Sequence, residues 1–150
     1  MEGTTMSSDE EQAVTQAVMG FYNALAEIFE GNTGAMEEIW SHANDVTYMG
    51  PGGGYQEGWG QVLQNFRAQA DLKMGGKGGE VTPENIRILV GQDIAVVHNF
   101  KKGRANIKGS DDMVSLRATN LFRKENGTWK QIGHHADLPP SLVEAIDNEC

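Results

Sequence analysis

The segment MVSLRATNLFRKENGTWKQIGHHA, residues 113–136, decides the fold. Met113 to Lys124 reads as one long strand and Thr128 to Ala136 as a second, with Asn126-Gly127 between them. That dipeptide is the strongest hairpin signal in the chain. A type I′ turn needs positive φ at both central residues, and Asn followed by Gly reaches it at least cost. Upstream, Gly91-Gln92-Asp93 is a turn between two further strands, Val81 to Val90 and Ile94 to Lys101. Pro83 cannot donate to a ladder, which predicts an edge position or a late start for the first of them. The second half of the chain is therefore an antiparallel meander.

The first half has the other period. Val14, Val18, Phe21, Leu25 and Ile28 fall in steps of three and four, the stripe of a helix. Ser8 with Glu11 has the capping-box spacing, Asp9 and Glu10 suit the positive end of the dipole, and Gly31 ends the run. Met36, Ile39 and Trp40 give a second, shorter helix that Asn44-Asp45 breaks. Val46 to Met49 is a short strand, Gly50 to Gly54 a loop, and Trp59, Val62, Leu63, Phe66 and Ala70 the stripe of a third helix starting near Glu57. The order is α-α-β-α-β-β-β-β. Helices followed by a strand meander imply an α+β domain with the helices on one face of a mostly antiparallel sheet. Pro139-Pro140 stops the sheet, and Ser141 with Glu144 repeats the capping-box spacing. The expected organisation is a disordered N-terminus over residues 1–8, one domain over 9–138, and a short helix or tail over 139–150.

The chain has 150 residues, enough for one sizeable core, and its apolar and charged fractions of 39% and 22% are ordinary for a soluble globular protein. A net charge of −9 repels phosphate backbones and anionic headgroups, so neither nucleic acid nor a membrane surface is an expected partner. No stretch approaches the apolar length of a spanning helix, and residues 1–8 lack the basic and apolar regions of a secretory signal. The single cysteine, Cys150, cannot form an internal disulfide, and the expected location is the cytoplasm. His42, His98, His134 and His135 show no metal-ligand spacing. Gly75-Gly76-Lys77-Gly78-Gly79 resembles a phosphate loop in composition only. No metal and no cofactor is expected.

Three segments together resemble the SnoaL-like proteins of the nuclear-transport-factor-2-like superfamily. They are Phe21 to Leu25 with Gly31 and Met36 to Trp40; Asp45 to Gly53 followed by Gly58-Trp59; and Arg117-Ala118-Thr119 with Asn126 to Trp129 and His134-His135-Ala136. The resemblance covers roughly residues 10–138, with boundaries good to a few positions. It implies a cone: three helices packed in the concave face of a curved sheet, with a small-molecule pocket between them and a homodimer through the outer sheet face. It also leaves function open, because this fold carries isomerases, dehydratases, binding domains and assembly modules.

Neighbours on a strand point to opposite faces, so only one of His134 and His135 can face a pocket. Matching to the family favours His135, in phase with Trp129, as a general acid or base; its alternative is a hydrogen-bonded structural histidine at a strand end. Arg117 must be exposed, paired with Asp45, Glu57 or Asp137, or aimed at an anionic ligand that it would stabilise. Thr119 shares its face, and His98 fits either face. Tyr48, Trp59 and Phe66 are candidate pocket walls, and Tyr22 could put a hydroxyl in the cavity. The acidic base that ketosteroid isomerases carry at the end of the first strand is missing, since that stretch reads Tyr48-Met49-Gly50-Pro51. Two functions remain. One is a ligand-binding domain or cofactor-free isomerase, dehydratase or hydrolase, with His135 and Arg117 acting on a small anionic or aromatic molecule. The other is a non-catalytic homodimerisation or assembly module.

Overall fold

A computed structural model describes residues 2–51, 53–72, 81–104 and 113–137. Helices α1 (Glu2–Phe29) and α2 (Gly34–Ile39) come first, then strands β1 (Thr47–Met49) and β2 (Gln56–Glu57), helix α3 (Trp59–Leu72), and strands β3 (Val81–Val90), β4 (Ile94–Arg104), β5 (Met113–Glu125) and β6 (Thr128–Ala136). The six strands form one curved, open sheet in the order β2-β1-β6-β5-β4-β3, antiparallel except where β1 runs parallel to β6. The expected α+β cone is present. The pair β2 is an addition to the expected order, too short to leave a periodic signal. The segment 139–150, with Cys150 and the second capping-box spacing, lies outside the described residues.

The helix α1 starts at Glu2, ahead of the expected cap at Ser8. Once a first turn exists, each added residue costs little, and nothing in this stretch blocks propagation. Its stripe is as the spacing requires: Val14, Val18, Phe21, Leu25 and Ile28 are all buried, each worth about 2 kcal/mol by the area it hides. Gly31 stops the helix at φ 103, with its N–H bonded to the Ile28 carbonyl and the Asn32 N–H to Glu27. Pro83 sits on the edge strand β3, and Asn126 (φ 52) with Gly127 (φ 80) forms the β5–β6 turn. Among the described residues, no helix is long and apolar enough to cross a membrane.

Alternation assigns the two sheet faces. On β4, Ala95, Val97, Asn99 and Lys101 are buried, and on β5 so are Leu116, Ala118, Asn120 and Phe122. These face the helices. On β6 the alternation changes parity: Trp129 and Gln131 are buried, then His134 and Ala136. The register explains it. Leu121 pairs Gly133 while Phe122 pairs Gln131, so Ile132 is an extra residue, a β-bulge. Gly133 accommodates the close approach, since a Cβ there would meet the Leu121 side chain at 3.0 Å.

Candidate functional site inside the cone

The bulge decides which histidine enters the cone. One inward row crosses four strands: Val97, Asn120, His134 and Tyr48. One outward row crosses the same sheet: Arg87, His98, Thr119, His135 and Met49. His135 therefore faces away from the helices, and His134 is the histidine that faces them. Trp129 and His135 are on opposite faces because Ile132 is an extra residue between them.

Arg117 is outward as well, its side chain 77% exposed and ion-paired with Asp137, whose carboxyl it holds below the usual range. This is the carboxylate pairing that was one of its three readings. His98, Arg117, Thr119 and His135 do share a groove of about 680 Å³, together with Arg87 and Asp137. It lies on the outer side of the sheet, where these four side chains are, and not on the side of the helices.

Tyr22, Tyr48 and Phe66 are inward and buried. Phe66 packs edge-on against both Trp40 and Tyr48, and is core. Trp59 is half-buried and stacks on His42 at 4.4 Å. The His134 ring lies against Phe21 (centroids 4.6 Å) and Tyr48 (5.3 Å).

Around His134 runs a buried chain of amides. Asn99 Nδ2 donates to Tyr22 Oη (2.8 Å), and Asn120 Nδ2 donates to Asn99 Oδ1 (2.9 Å). Asn120 Oδ1 accepts from Gln131 Nε2 (2.8 Å) and meets His134 Nδ1 at 2.7 Å. Two backbone carbonyls fix the sense of this chain: Phe100 O accepts from Asn99 Nδ2, and Gly133 O accepts from Gln131 Nε2. With Asn99 and Gln131 oriented, the atom of Asn120 facing His134 must be its oxygen. A carbonyl oxygen only accepts, so Nδ1 of His134 carries the proton and Nε2 presents a lone pair.

Burial, then the charge of Lys101, holds the His134 pKa well below the imidazole norm, so the ring is neutral at pH 7. Its Nε2 is fully buried and has no partner among the described residues, and neither has Gln131 Oε1. The Tyr22 hydroxyl accepts from amides, and burial raises its pKa, so it keeps its proton. Burial likewise pushes Tyr48 up to about 12 against a hydrogen bond from Gln69. Lys101, also inward, is 7% exposed, and desolvation brings its pKa down to about 8. Among the described residues no carboxylate pairs with it, and no cluster suited to a metal ion occurs.

The functional candidates missed in the sequence are thus Asn99, Lys101, Asn120, Gln131 and His134 in its inward role. A signal existed for Asn120, which shares the parity of Leu116, Ala118 and Phe122. A Gly inside a strand, here Gly133, is likewise a bulge signal.

Several solved structures share this fold. A candidate dehydratase of the NTF2-like family from Streptomyces avermitilis matches at TM-score 0.73 and 21% identity, over 89% of this chain and 98% of that one. A candidate ketosteroid isomerase from Shewanella frigidimarina matches at 0.67 and 21%, over 83% and 94%. A candidate calcium/calmodulin-dependent protein kinase type II association domain from Thiobacillus denitrificans matches at 0.66 and 19%, over 82% and 92%. At these identities the likeness is one of fold. Among curated proteins, none matches the sequence. The sequence itself matches the SnoaL-like domain over residues 14–140, from within α1 through the whole sheet, and the chain belongs to that family.

Proposed function

We propose that the chain binds a small organic anion carrying a hydroxyl or enol group inside the cone, and that His134 and Tyr22 exchange protons with it. One atom carries this reading. A fully buried Nε2 without a partner costs about 1–3 kcal/mol unless a donor fills the site. A ligand hydroxyl supplies that donor. The fixed Nδ1 proton makes His134 a base toward the ligand, and the Tyr22 hydroxyl is the complementary acid. The inward Lys101 ammonium takes the role first expected of Arg117, attraction of a carboxylate or an enolate-like oxygen. Such a set suits cofactor-free elimination or isomerisation.

Mandelate, which combines a carboxylate, a hydroxyl and a ring, is a suitable probe. Nitrogen NMR of the histidine rings should show His134 as the neutral Nδ1–H form, and added mandelate should shift its Nε2. His134→Phe keeps the packing against Phe21 and Tyr48 and should weaken mandelate binding about tenfold, the worth of one hydrogen bond. An unmoved Nε2 signal, or equal binding by the variant, refutes the reading.

A second reading concerns assembly through the outer face. Leu89 is 70% exposed and in register with Val96 and Leu121, and Ile94 and Phe100 are exposed on the same face. An apolar sheet face of this kind favours a second copy of the chain, and the Arg117–Asp137 pair at its margin is self-complementary across a two-fold axis. The fold neighbour described as an association domain agrees with self-assembly. Sedimentation should give a dimer for the native chain and a monomer for Leu89→Glu. A monomeric native chain would rule this out.

A further inference from the structure

Four neighbouring strands hold one outward row in register: Arg87 on β3, His98 on β4, Thr119 on β5 and His135 on β6. Two bulges make that row. Glu84 pairs Phe100 and Arg87 pairs His98, so β3 takes one extra residue between Glu84 and Arg87, where Asn85 holds a φ of 54. Without it Arg87 would point at the helices. The bulge at Ile132 does the same for His135. Bulges re-aim side chains in this way beside functional sites. Arg87, His98 and His135 are exposed and Thr119 is half-buried, all in the outer groove of about 680 Å³. In a chain of net charge −9, this groove sets two guanidiniums, Arg87 and Arg117, against one carboxylate, Asp137. Among the described residues Arg87 pairs with no carboxylate, whereas Lys102 pairs with Glu84 and Arg117 with Asp137.

We propose that this outer groove binds a small phosphate monoester with a flat apolar group, at a site separate from the cone. Adjacent strands lie about 4.8 Å apart, so the backbones of His98 and His135, two strands apart, are separated by about 10 Å. The short Thr119 stands between the two longer rings. The result is a notch with an imidazole N–H on each side and a hydroxyl at its base, wide enough for one tetrahedral oxyanion. Arg87 stands next to His98 and offers a guanidinium fork, which suits phosphate geometry. Arg117, in the adjoining row, spends Nε and Nη2 on Asp137 and keeps Nη1. Donors on several sides match a group with three acceptor oxygens and a charge of about −2. The guanidinium beside His98 also disfavours a metal cation between the imidazoles. Phe100 lies two residues from His98 on the same face, 38% exposed, and its ring is the surface for the flat part of the ester. His134 is on the far side of the sheet, so this site stands or falls independently of the reading of the cone.

The test is a titration of the full chain with phenyl phosphate, read by NMR of the four histidine rings against sodium chloride of equal ionic strength. The His98 and His135 signals should move together and saturate with a Kd of about 1 mM or lower, while His42 and His134 stay in place. Arg87→Gln should weaken this binding about tenfold, the worth of a charge-assisted hydrogen bond. Inorganic phosphate should move the same two rings with about threefold lower affinity, and Phe100→Ala should erase that difference. Unmoved His98 and His135, as when a second copy of the chain covers the groove, overturn the proposal. So does an equal shift with sodium chloride, or native affinity in Arg87→Gln. A shift at His134 instead puts the ligand in the cone and also overturns it. A preference for phenyl phosphate that survives Phe100→Ala overturns the apolar half of the site.

Discussion

Replacing Lys101 by methionine is expected to stabilise the folded protein by about 3 kcal/mol at pH 7, while abolishing carboxylate binding. The size follows from linkage. The lysine pKa falls from 10.5 to about 8 on folding, because burial disfavours the charged form. Each unit corresponds to about 1.4 kcal/mol. The unfolded chain keeps its proton up to 10.5 and the folded chain gives it up near 8. Between those values the unfolded state binds more protons, so native stability rises with pH across this window. Below pH 8 the whole penalty is present. Methionine has nearly the same reach and no charge, so it removes the penalty. Its advantage should therefore be largest at pH 7 and close to nothing at pH 10.5. Urea unfolding of both proteins at pH 7 and pH 10 reads this directly, and the melting temperature at pH 7 should rise by about 10 °C. A variant that is less stable, or whose advantage does not change with pH, would show that the Lys101 charge is compensated in solution. A stabilising substitution that removes ligand binding is the mark of a residue kept for function against stability.

The fold was legible because its signals are periodic and redundant. The α1 stripe from Val14 to Ile28, the α3 stripe around Val62 and Phe66, and the Asn126-Gly127 turn each hold on their own, and an error of one residue in any of them leaves the architecture intact. A site inside a sheet has no such tolerance. Side chains alternate with period two, so one uncounted residue exchanges the faces. Ile132 is that residue, and it turned His135 out and His134 in. Arg117 is a different case. Leu116, Ala118, Asn120 and Phe122 alternate with Ser115, Arg117, Thr119, Leu121 and Arg123, and the polar members of the second set put Arg117 outside. Of its three readings, the pair with Asp137 is the one this local pattern supports. On β4 the run Ile94 to Val97 is apolar throughout, which hid the parity that buries Asn99 and Lys101. The polar groups of the cone were thus unreadable where apolar runs mask the phase and where a bulge resets it.

Asn120→Ala should cost about 4 kcal/mol of stability, more than its size suggests. The side chain is fully buried and joins two halves of a network, donating to Asn99 and accepting from Gln131 and His134. After truncation Gln131 Nε2 still has the Gly133 carbonyl and Asn99 Nδ2 still has Tyr22 and Phe100. Two groups are left without partners, Asn99 Oδ1 and the Nδ1–H of His134. Each stranded buried group costs about 1–3 kcal/mol, and the small void adds to it. Denaturant unfolding gives the total, and a double-mutant cycle assigns its cause. In the His134→Phe background no Nδ1 proton exists to be stranded, so Asn120→Ala should cost about 1–2 kcal/mol less there. An additive cycle would mean that the His134 proton points elsewhere. Nε2 would then carry it, His134 would face the ligand as a donor, and the direction of proton exchange in the cone would be reversed.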